Sequence, residues 1–263
     1  MTTAVTSRLS AAFTDAGRPL LIGYLPAGFP SFDGAVAAFR AMVQAGVDVV
    51  EVGLPYSDPL MDGPTIQQAA EAALAGGTTP RDVLRTVEAV AATGVPTLVM
   101  TYWNPVERYG VDRFARDLAA AGGAGVITPD VVPEESAPWL AATAAAGLDS
   151  VFLVAPSSTD ARIAAIAEVT RGFVYAASTM GVTGARTAVA DTAAALVARV
   201  RAATSLPVAV GLGVSTRSQA AEVAGYADGV IVGSAFVRRL LDGDDPAPLA
   251  AELAAGVRSA TSR

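Results

Sequence analysis

The sequence contains no cysteine and no histidine among its 263 residues, and it has no lysine because all 18 basic residues are arginine. The lack of cysteine excludes a disulfide framework and a thiol nucleophile. The lack of histidine and lysine excludes imidazole bases, histidine-bound metals, Schiff bases and lysine-bound pyridoxal phosphate within this chain. Its chemistry must use carboxylates, hydroxyls, arginine, backbone amides or groups of a partner. We expect no metal site and no cofactor in this chain.

Positive charge and long apolar runs are also scarce. The formal net charge is −7, which argues against binding to nucleic acid or to an anionic membrane surface. Gly, Pro or a charged residue interrupts each apolar run before it reaches the length of a transmembrane helix. The N-terminal residues, MTTAVTSRLSAAF, lack a basic region followed by an apolar core, so no secretory signal is predicted. We expect a cytoplasmic protein.

The sequence does contain an alternation of apolar strands and helices. Strands are predicted at 20–25, 48–53, 95–102, 125–128, 150–154, 173–176, 206–210 and 229–232. Helices are predicted at 3–15, 32–45, 65–75, 80–93, 111–121, 134–146, 159–170, 188–203 and 216–224, with two more near the C-terminus. This repeat, at about thirty residues, has the size of a βα unit.

The number and order of these units favour one α/β fold. We predict a single (β/α)8 TIM barrel over residues 1–263, with an extra N-terminal helix and short extra helices after the second and eighth strands. The alternative is an open doubly wound sheet. It would need a Gly-rich dinucleotide turn after the first strand, which PAGFPSFDG does not provide.

The second predicted strand and its loop, VDVVEVGLPYSDPLMDGPTIQ, carry three carboxylates. Glu51 lies within an apolar strand, and Asp58 and Asp62 follow in a Gly/Pro-punctuated loop. A carboxylate in such an apolar setting needs a partner. Glu51 could be a structural ion-pair member. Alternatively, the strand end aims paired acids at a shared pocket, as the C-terminal face of a barrel would require.

The ends of the seventh and eighth strands have the pattern of a phosphate site. Gly213 follows the seventh strand, and Gly233 and Ser234 open a short helix after the eighth. Backbone amides and the positive end of a helix can bind a phosphate without lysine. The alternative is that these glycines simply end strands and that Ser234 caps the helix.

The other predicted strand ends supply apolar and aromatic residues. We predict that Tyr24, Ile66, Met100, Tyr102 and Leu212 form a flat-walled pocket beside the phosphate, although each alone could belong to the core. Tyr175, Thr183 and Gly184 lie at and after the sixth strand. Together these residues suggest a substrate with an aromatic body and a phosphate tail.

Several motifs, in order along nearly the whole chain, resemble the tryptophan synthase alpha chain family. They are VEVGLPYSDPLMDGPTIQ, TYWNP, PDVVPEES, YAASTMGVTG, GLGVS and GVIVGSA. The family is a barrel that cleaves indole-3-glycerol phosphate to indole and glyceraldehyde 3-phosphate. The resemblance implies an α2β2 heterotetramer with a beta chain that carries pyridoxal phosphate and makes L-tryptophan from indole.

The resemblance also implies roles for individual residues. Glu51 matches the general acid/base, and Asp62 matches the carboxylate that hydrogen-bonds the indole N–H. Substrate-binding positions are matched by Tyr24, Met100, Tyr175, Thr183, Gly184, Leu212, Gly213, Gly233 and Ser234. Asp58 lies in the loop that communicates with the beta chain, and we expect Pro55 and Asn104 at the same interface.

Other functions remain open at this point. A related phosphate-binding barrel, such as indole-glycerol-phosphate synthase or phosphoribosylanthranilate isomerase, usually relies on lysine or cysteine, which this sequence lacks. The chain could also be a stand-alone indole-3-glycerol-phosphate lyase or a non-catalytic activator of a beta chain. The presence of both Glu51 and Asp62 argues against a non-catalytic role.

Overall fold

A computed structural model describes residues 7–177, 186–211 and 213–260 of the chain. A parallel β-sheet forms its centre, and the apolar runs of the sequence supply its strands. The strands are β1 (Leu20–Pro26), β2 (Val49–Gly53), β3 (Thr97–Met100), β4 (Gly125–Ile127), β5 (Asp149–Val151), β6 (Leu153–Val154), β7 (Val174–Ala177), β8 (Val208–Gly211) and β9 (Gly229–Val232).

The order of the strands is that of a nearly closed barrel. It runs β5-β4-β3-β2-β1-β9-β8-β7-β6, and every neighbouring pair is parallel. The two ends of this sheet, β5 and β6, are consecutive in sequence and are separated only by Phe152. They are therefore two segments of one barrel strand. The predicted (β/α)8 barrel is confirmed, with its fifth strand divided.

Helices surround the sheet and follow its strands along the chain. They are α1 (Arg8–Ala16), α2 (Phe32–Gln44), α3 (Pro64–Ala75), α4 (Pro80–Ala91), α5 (Trp103–Tyr109), α6 (Val111–Ala120), α7 (Ala137–Ala145), α8 (Asp160–Val169), α9 (Arg186–Ala203), α10 (Arg217–Ala224), α11 (Ser234–Leu241) and α12 (Ala247–Ser259). Local signals set several boundaries. Ser31, for example, accepts a hydrogen bond from the Gly34 amide at 3.0 Å and so caps α2.

Two helical regions differ from the sequence prediction. Strand β3 ends at Met100, whereas the prediction had extended it to residue 102, and helix α5, which was not predicted, begins at Trp103. The predicted helix over 134–146 is divided into a 3-10 turn, Pro133–Glu135, and α7. Pro138 explains the division, because proline fits the first turn of a helix and is disfavoured in its interior.

The barrel interior positions the site. Helix α1 contributes Leu9 and Phe13 to the same apolar cluster as Ile22 and Val49, so the extra helix packs under the barrel interior. Side chains alternate along a strand, and residues two positions further on therefore also point inward. One of these is Glu51, which is paired in register with Tyr24 near the C-terminal ends of β1 and β2.

A second apolar cluster lies between the strands and the surrounding helices, and it includes Phe39, Phe114 and Trp139. The outer and inner clusters together bury both faces of the sheet, as parallel sheets require. Within the described ranges, no helix has the length and hydropathy needed to cross a membrane.

Candidate active site

A cavity of about 180 Å³ lies at the C-terminal ends of the strands. Nine residues proposed from the sequence line it, namely Tyr24, Glu51, Asp62, Ile66, Met100, Tyr175, Gly213, Gly233 and Ser234. Three more lining residues, Met61, Gly211 and Ile231, were not proposed. Ile231 could have been found by strand alternation, since it precedes Gly233 by two positions.

Glu51 is the most deeply buried acid of this cavity. Its side chain is 0% exposed, and among the described residues neither carboxyl oxygen has a hydrogen-bond partner. Burial raises the pKa of Glu51 from 4.5 to about 8, because the charged form loses its hydration without gaining a partner. At neutral pH the side chain is therefore mostly protonated and can act as an acid.

Asp62 reaches the cavity from the loop between β2 and α3. Its Oδ1 atom accepts a hydrogen bond from the Tyr102 hydroxyl at 2.9 Å, and its backbone carbonyl accepts one from Gln67 at 2.7 Å. Burial raises the pKa of Asp62, whereas the bond from Tyr102 lowers it. The two carboxyl groups thus have different surroundings, which is how one site can hold an acid and an anion.

Two tyrosines stand beside these carboxyl groups. Burial raises the pKa of Tyr24 well above 10, and the nearby Asp62 and Glu51 raise it further. The pKa of Tyr175 is also raised well above 10, mainly by burial and to a lesser extent by the charge of Glu51. Both phenols therefore remain neutral donors at any physiological pH. Gly211 makes room for one of them, because a Cβ atom there would lie 2.6 Å from the Tyr175 hydroxyl.

Another part of the cavity wall, next to Tyr24, is the beginning of α11. Gly233 is its N-cap residue and makes no side-chain capping bond, and Ser234 is the first helical residue. The first turn carries no acidic residue, so its free amides and partial positive charge are available to an anion. Gly213 also faces the cavity, with a positive φ of 66° that favours glycine.

Other predicted positions lie outside the cavity lining. Tyr102 is 5% exposed and contacts Asp62 through its hydroxyl. Of the three predicted interface residues, Asp58 and Asn104 are exposed, whereas Pro55 is buried. Thr183, Gly184 and Leu212 are outside the described residues.

A larger cleft of about 560 Å³ lies at the other end of the barrel, near the N-terminal ends of the strands. Its two arginines are already paired. Arg18 contacts Asp48 and Arg201 contacts Asp228, each at 2.7 Å. Since barrel enzymes hold their active sites at the C-terminal face, the smaller cavity is the better candidate. Among the residues described, no cluster of acidic side chains could hold a metal ion.

The comparisons with known proteins agree on one family. The family model described as tryptophan synthase alpha chain matches residues 11–260. The tryptophan synthase alpha chain of Thermobifida fusca is 61% identical over 254 residues, which cover 93% of this chain and 94% of that protein. That of Nocardia farcinica is 60% identical over 259 residues, 97% of each chain.

Solved structures give the same answer. The aminoacrylate-bound form of tryptophan synthase from M. tuberculosis matches with a TM-score of 0.89 and 56% identity, over 96% of this chain and 100% of that one. The tryptophan synthase alpha chain of Legionella pneumophila matches with a TM-score of 0.84 and 31% identity, over 96% of each chain. This chain therefore belongs to the tryptophan synthase alpha chain family and is a carbon–carbon lyase that cleaves indole-3-glycerol phosphate to indole and glyceraldehyde 3-phosphate.

Proposed function

We propose that Glu51 and Asp62 perform this cleavage as general acid/base and electrostatic stabiliser, respectively. The observation that carries the assignment is the buried carboxyl of Glu51, which has no hydrogen-bond partner among the described residues and opens into a cavity that also holds Asp62. A carboxyl group without a protein partner is costly to bury, and a polar substrate offsets that cost. Its raised pKa suits an acid that must give a proton to carbon at neutral pH.

The phosphate and the indole ring of the substrate occupy different parts of the cavity. The phosphate lies against the start of α11, where Gly233 and Ser234 offer backbone amides, and Gly213 completes the cradle. The indole ring lies against Met100, beside Tyr24 and Ile66. Tyr175 stands near the bond that is cleaved. This arrangement matches an aromatic body and a phosphate tail to an apolar wall and a helix N-terminus.

The reaction proceeds through proton transfers that balance. Glu51 gives its proton to C3 of the indole, which produces a cationic indolenine. Asp62 accepts a hydrogen bond from the ring N–H and stabilises that cation. The electrons of the carbon–carbon bond then return to the ring, and indole leaves. The glycerol hydroxyl loses its proton to the Glu51 carboxylate as the aldehyde forms, so Glu51 recovers the proton that it gave.

Binding and turnover can be measured separately in the Glu51→Gln chain. We expect this variant to bind indole-3-glycerol phosphate in a calorimetric titration without cleaving it. Adding Gly213→Val should abolish that binding, because a side chain would enter the phosphate cradle. Gly147→Val is a matched control, since Gly147 has a φ of 69° and open space around it. Equal binding by the Gly213 and Gly147 double variants would refute the phosphate site.

We further propose an α2β2 complex with a tryptophan synthase beta chain, which carries the pyridoxal phosphate and receives the indole. The proposed interface consists of Pro55 and Asp58 in the loop between β2 and α3 and of Asn104 in α5. Leu60 is 78% exposed and Met61 is 46% exposed, and they are the exposed large apolar side chains of the described residues. An exposed apolar pair beside a charged residue is typical of a docking surface.

The extent of the domain and its location complete the proposal. We propose that residues 1–263 form one barrel domain, since strands from Leu20 to Val232 share one sheet and α12 packs against α2 and β1. We propose a cytoplasmic location because the family serves tryptophan biosynthesis. The comparisons support this family and give no support to a related isomerase or to a non-catalytic activator.

A further inference from the structure

The hydroxyl of Tyr102 joins two parts of the loop that carries Asp62. It accepts a hydrogen bond from the backbone amide of Met61 at 3.2 Å and donates one to Asp62 Oδ1 at 2.9 Å. Tyr102 itself belongs to another part of the barrel, the N-cap position of α5 after β3. One phenol therefore fixes both the backbone and the carboxylate of this loop.

Tyr102 is itself held in place by a second tyrosine. The rings of Tyr56 and Tyr102 pack with centroids 5.5 Å apart and planes tilted by 37°. The Tyr56 hydroxyl accepts a hydrogen bond from Asn104 Nδ2 at 2.9 Å, and Asn104 lies in the first turn of α5. Because Tyr102 is only 5% exposed, its ring has little freedom to leave this position.

The charges around Asp62 make this one bond important. Glu51, Tyr24 and Tyr175 face the cavity, and none of them supplies positive charge. Further groups near the loop are Asp58 on the loop itself, Asp130, which accepts bonds from the Trp103 amide, and Arg238, which donates to Thr65. Among the described residues, Tyr102 is the side chain that donates a hydrogen bond to the Asp62 carboxyl.

The protonation states of the two side chains also make Tyr102 the donor and Asp62 the acceptor of their hydrogen bond. Burial raises the pKa of Tyr102 to about 12, so the phenol keeps its proton. Burial also raises the pKa of Asp62, and the bond from Tyr102 opposes that rise. Without the phenol, burial alone would act on the carboxylate, and the pKa of Asp62 would rise further.

We propose that Tyr102, braced by the ring of Tyr56, is a positioning residue that fixes the Asp62 carboxylate toward the substrate. This inference rests on the proposed role of Asp62. It makes Tyr102 part of the support of the site rather than a wall of the indole pocket. It also connects Asn104, at the proposed beta-chain interface, to Asp62 through two aromatic rings.

The test is the pH dependence of kcat for Tyr102→Phe, with indole release as the readout. The ring is kept and only the hydroxyl is lost. We expect kcat at neutral pH to fall roughly 10- to 100-fold, the range of a hydrogen bond to a charged group. We also expect the acid limb of the profile to move to higher pH, because Asp62 must be ionised and its pKa has risen. Tyr56→Ala should lower kcat in the same direction by loosening the brace.

A matched control is Tyr109→Phe. The Tyr109 hydroxyl donates to Asp117 at 2.6 Å, which is the same type of bond away from the cavity. This variant should keep the wild-type kcat and pH profile. Identical profiles for Tyr102→Phe and Tyr109→Phe, or a wild-type kcat in Tyr56→Ala, would overturn the inference.

A second comparison separates this inference from the proposed function. Asp62→Asn should lose most activity, and adding Tyr102→Phe to it should cost little more, since the carboxylate that Tyr102 positions is already gone. Full additivity of the two losses would mean that Tyr102 acts independently of Asp62 and would overturn the inference alone. Wild-type turnover by Asp62→Asn would instead refute the proposed role of Asp62, and the inference with it.

Discussion

Replacing Glu51 by glutamine should change how the stability of this protein depends on pH. The pKa of Glu51 rises from 4.5 to about 8 on folding. At about 1.4 kcal/mol for each pKa unit, the charged form is disfavoured in the folded state by roughly 5 kcal/mol. The cause is burial without a partner, since both carboxyl oxygens lack a hydrogen bond within the described residues.

The direction of this change in stability follows from the number of protons that the folded and unfolded chains bind. Between about pH 4.5 and 8 the folded chain holds the Glu51 proton and the unfolded chain has lost it. The contribution of Glu51 to the free energy of unfolding is therefore fully present below about pH 4.5 and is lost as the pH rises to about 8. Glutamine cannot ionise, so its contribution stays constant. The difference in unfolding free energy, Glu51→Gln minus wild type, should therefore increase by up to roughly 5 kcal/mol as the pH rises through this window.

The assay is equilibrium urea denaturation at pH 5, 6, 7, 8 and 9, followed by the fluorescence of Trp103 and Trp139, the second of which is fully buried. The quantity compared is the difference between variant and wild type, because it cancels the titration of the other groups. Glu88→Gln is the control, since Glu88 lies exposed on α4 and its difference should stay flat. A flat difference for Glu51→Gln would refute the claim that Glu51 is buried in protonated form.

Three further predictions concern the interface, the cavity and the core. Asp58→Ala should reduce the acceleration by a beta chain more than it reduces the basal rate of the isolated chain; equal losses of both rates would make Asp58 merely structural. Gly211→Val should raise KM and lower kcat, because its side chain would collide with Tyr175; unchanged kinetics would show that the cavity wall is not rigid. Leu9→Ala should cost about 2–5 kcal/mol in urea denaturation, because Leu9 is fully buried beneath the barrel. The exposed Leu60 gives the control, and Leu60→Ala should change stability by less than about 0.5 kcal/mol; equal effects at the two positions would contradict the proposed packing of α1.

The barrel could be predicted from the sequence because its elements carry strong local signals. The strands are short apolar runs, and residues such as Ser31 mark where helices begin. Helix α5 was missed because its sequence, WNPVERY, has a proline at its third position and no clear apolar period. The break at Phe152 was also missed, because it reflects barrel closure rather than local propensity.

The candidate site was predictable wherever function depends on a strand end. Glu51 lies near the C-terminal end of β2, Gly233 directly follows β9, and both line the cavity. Contacts that depend on the path of a loop could not be read in this way. The bond between Tyr102 and Asp62 joins residues 40 positions apart, and only the fold of the β2–α3 loop brings them together. Met61 lines the cavity for the same reason.

The most direct test of the whole account is the release of indole from indole-3-glycerol phosphate by the purified chain. It should be measured at saturating substrate for the wild type and for Glu51→Gln, with Glu88→Gln as the control. The wild type and Glu88→Gln should release indole at the same rate. Glu51→Gln should be slower by about 10²- to 10⁴-fold, the usual contribution of a positioned acid. A correctly folded Glu51→Gln chain that releases indole at the wild-type rate would contradict the role of Glu51 as the general acid.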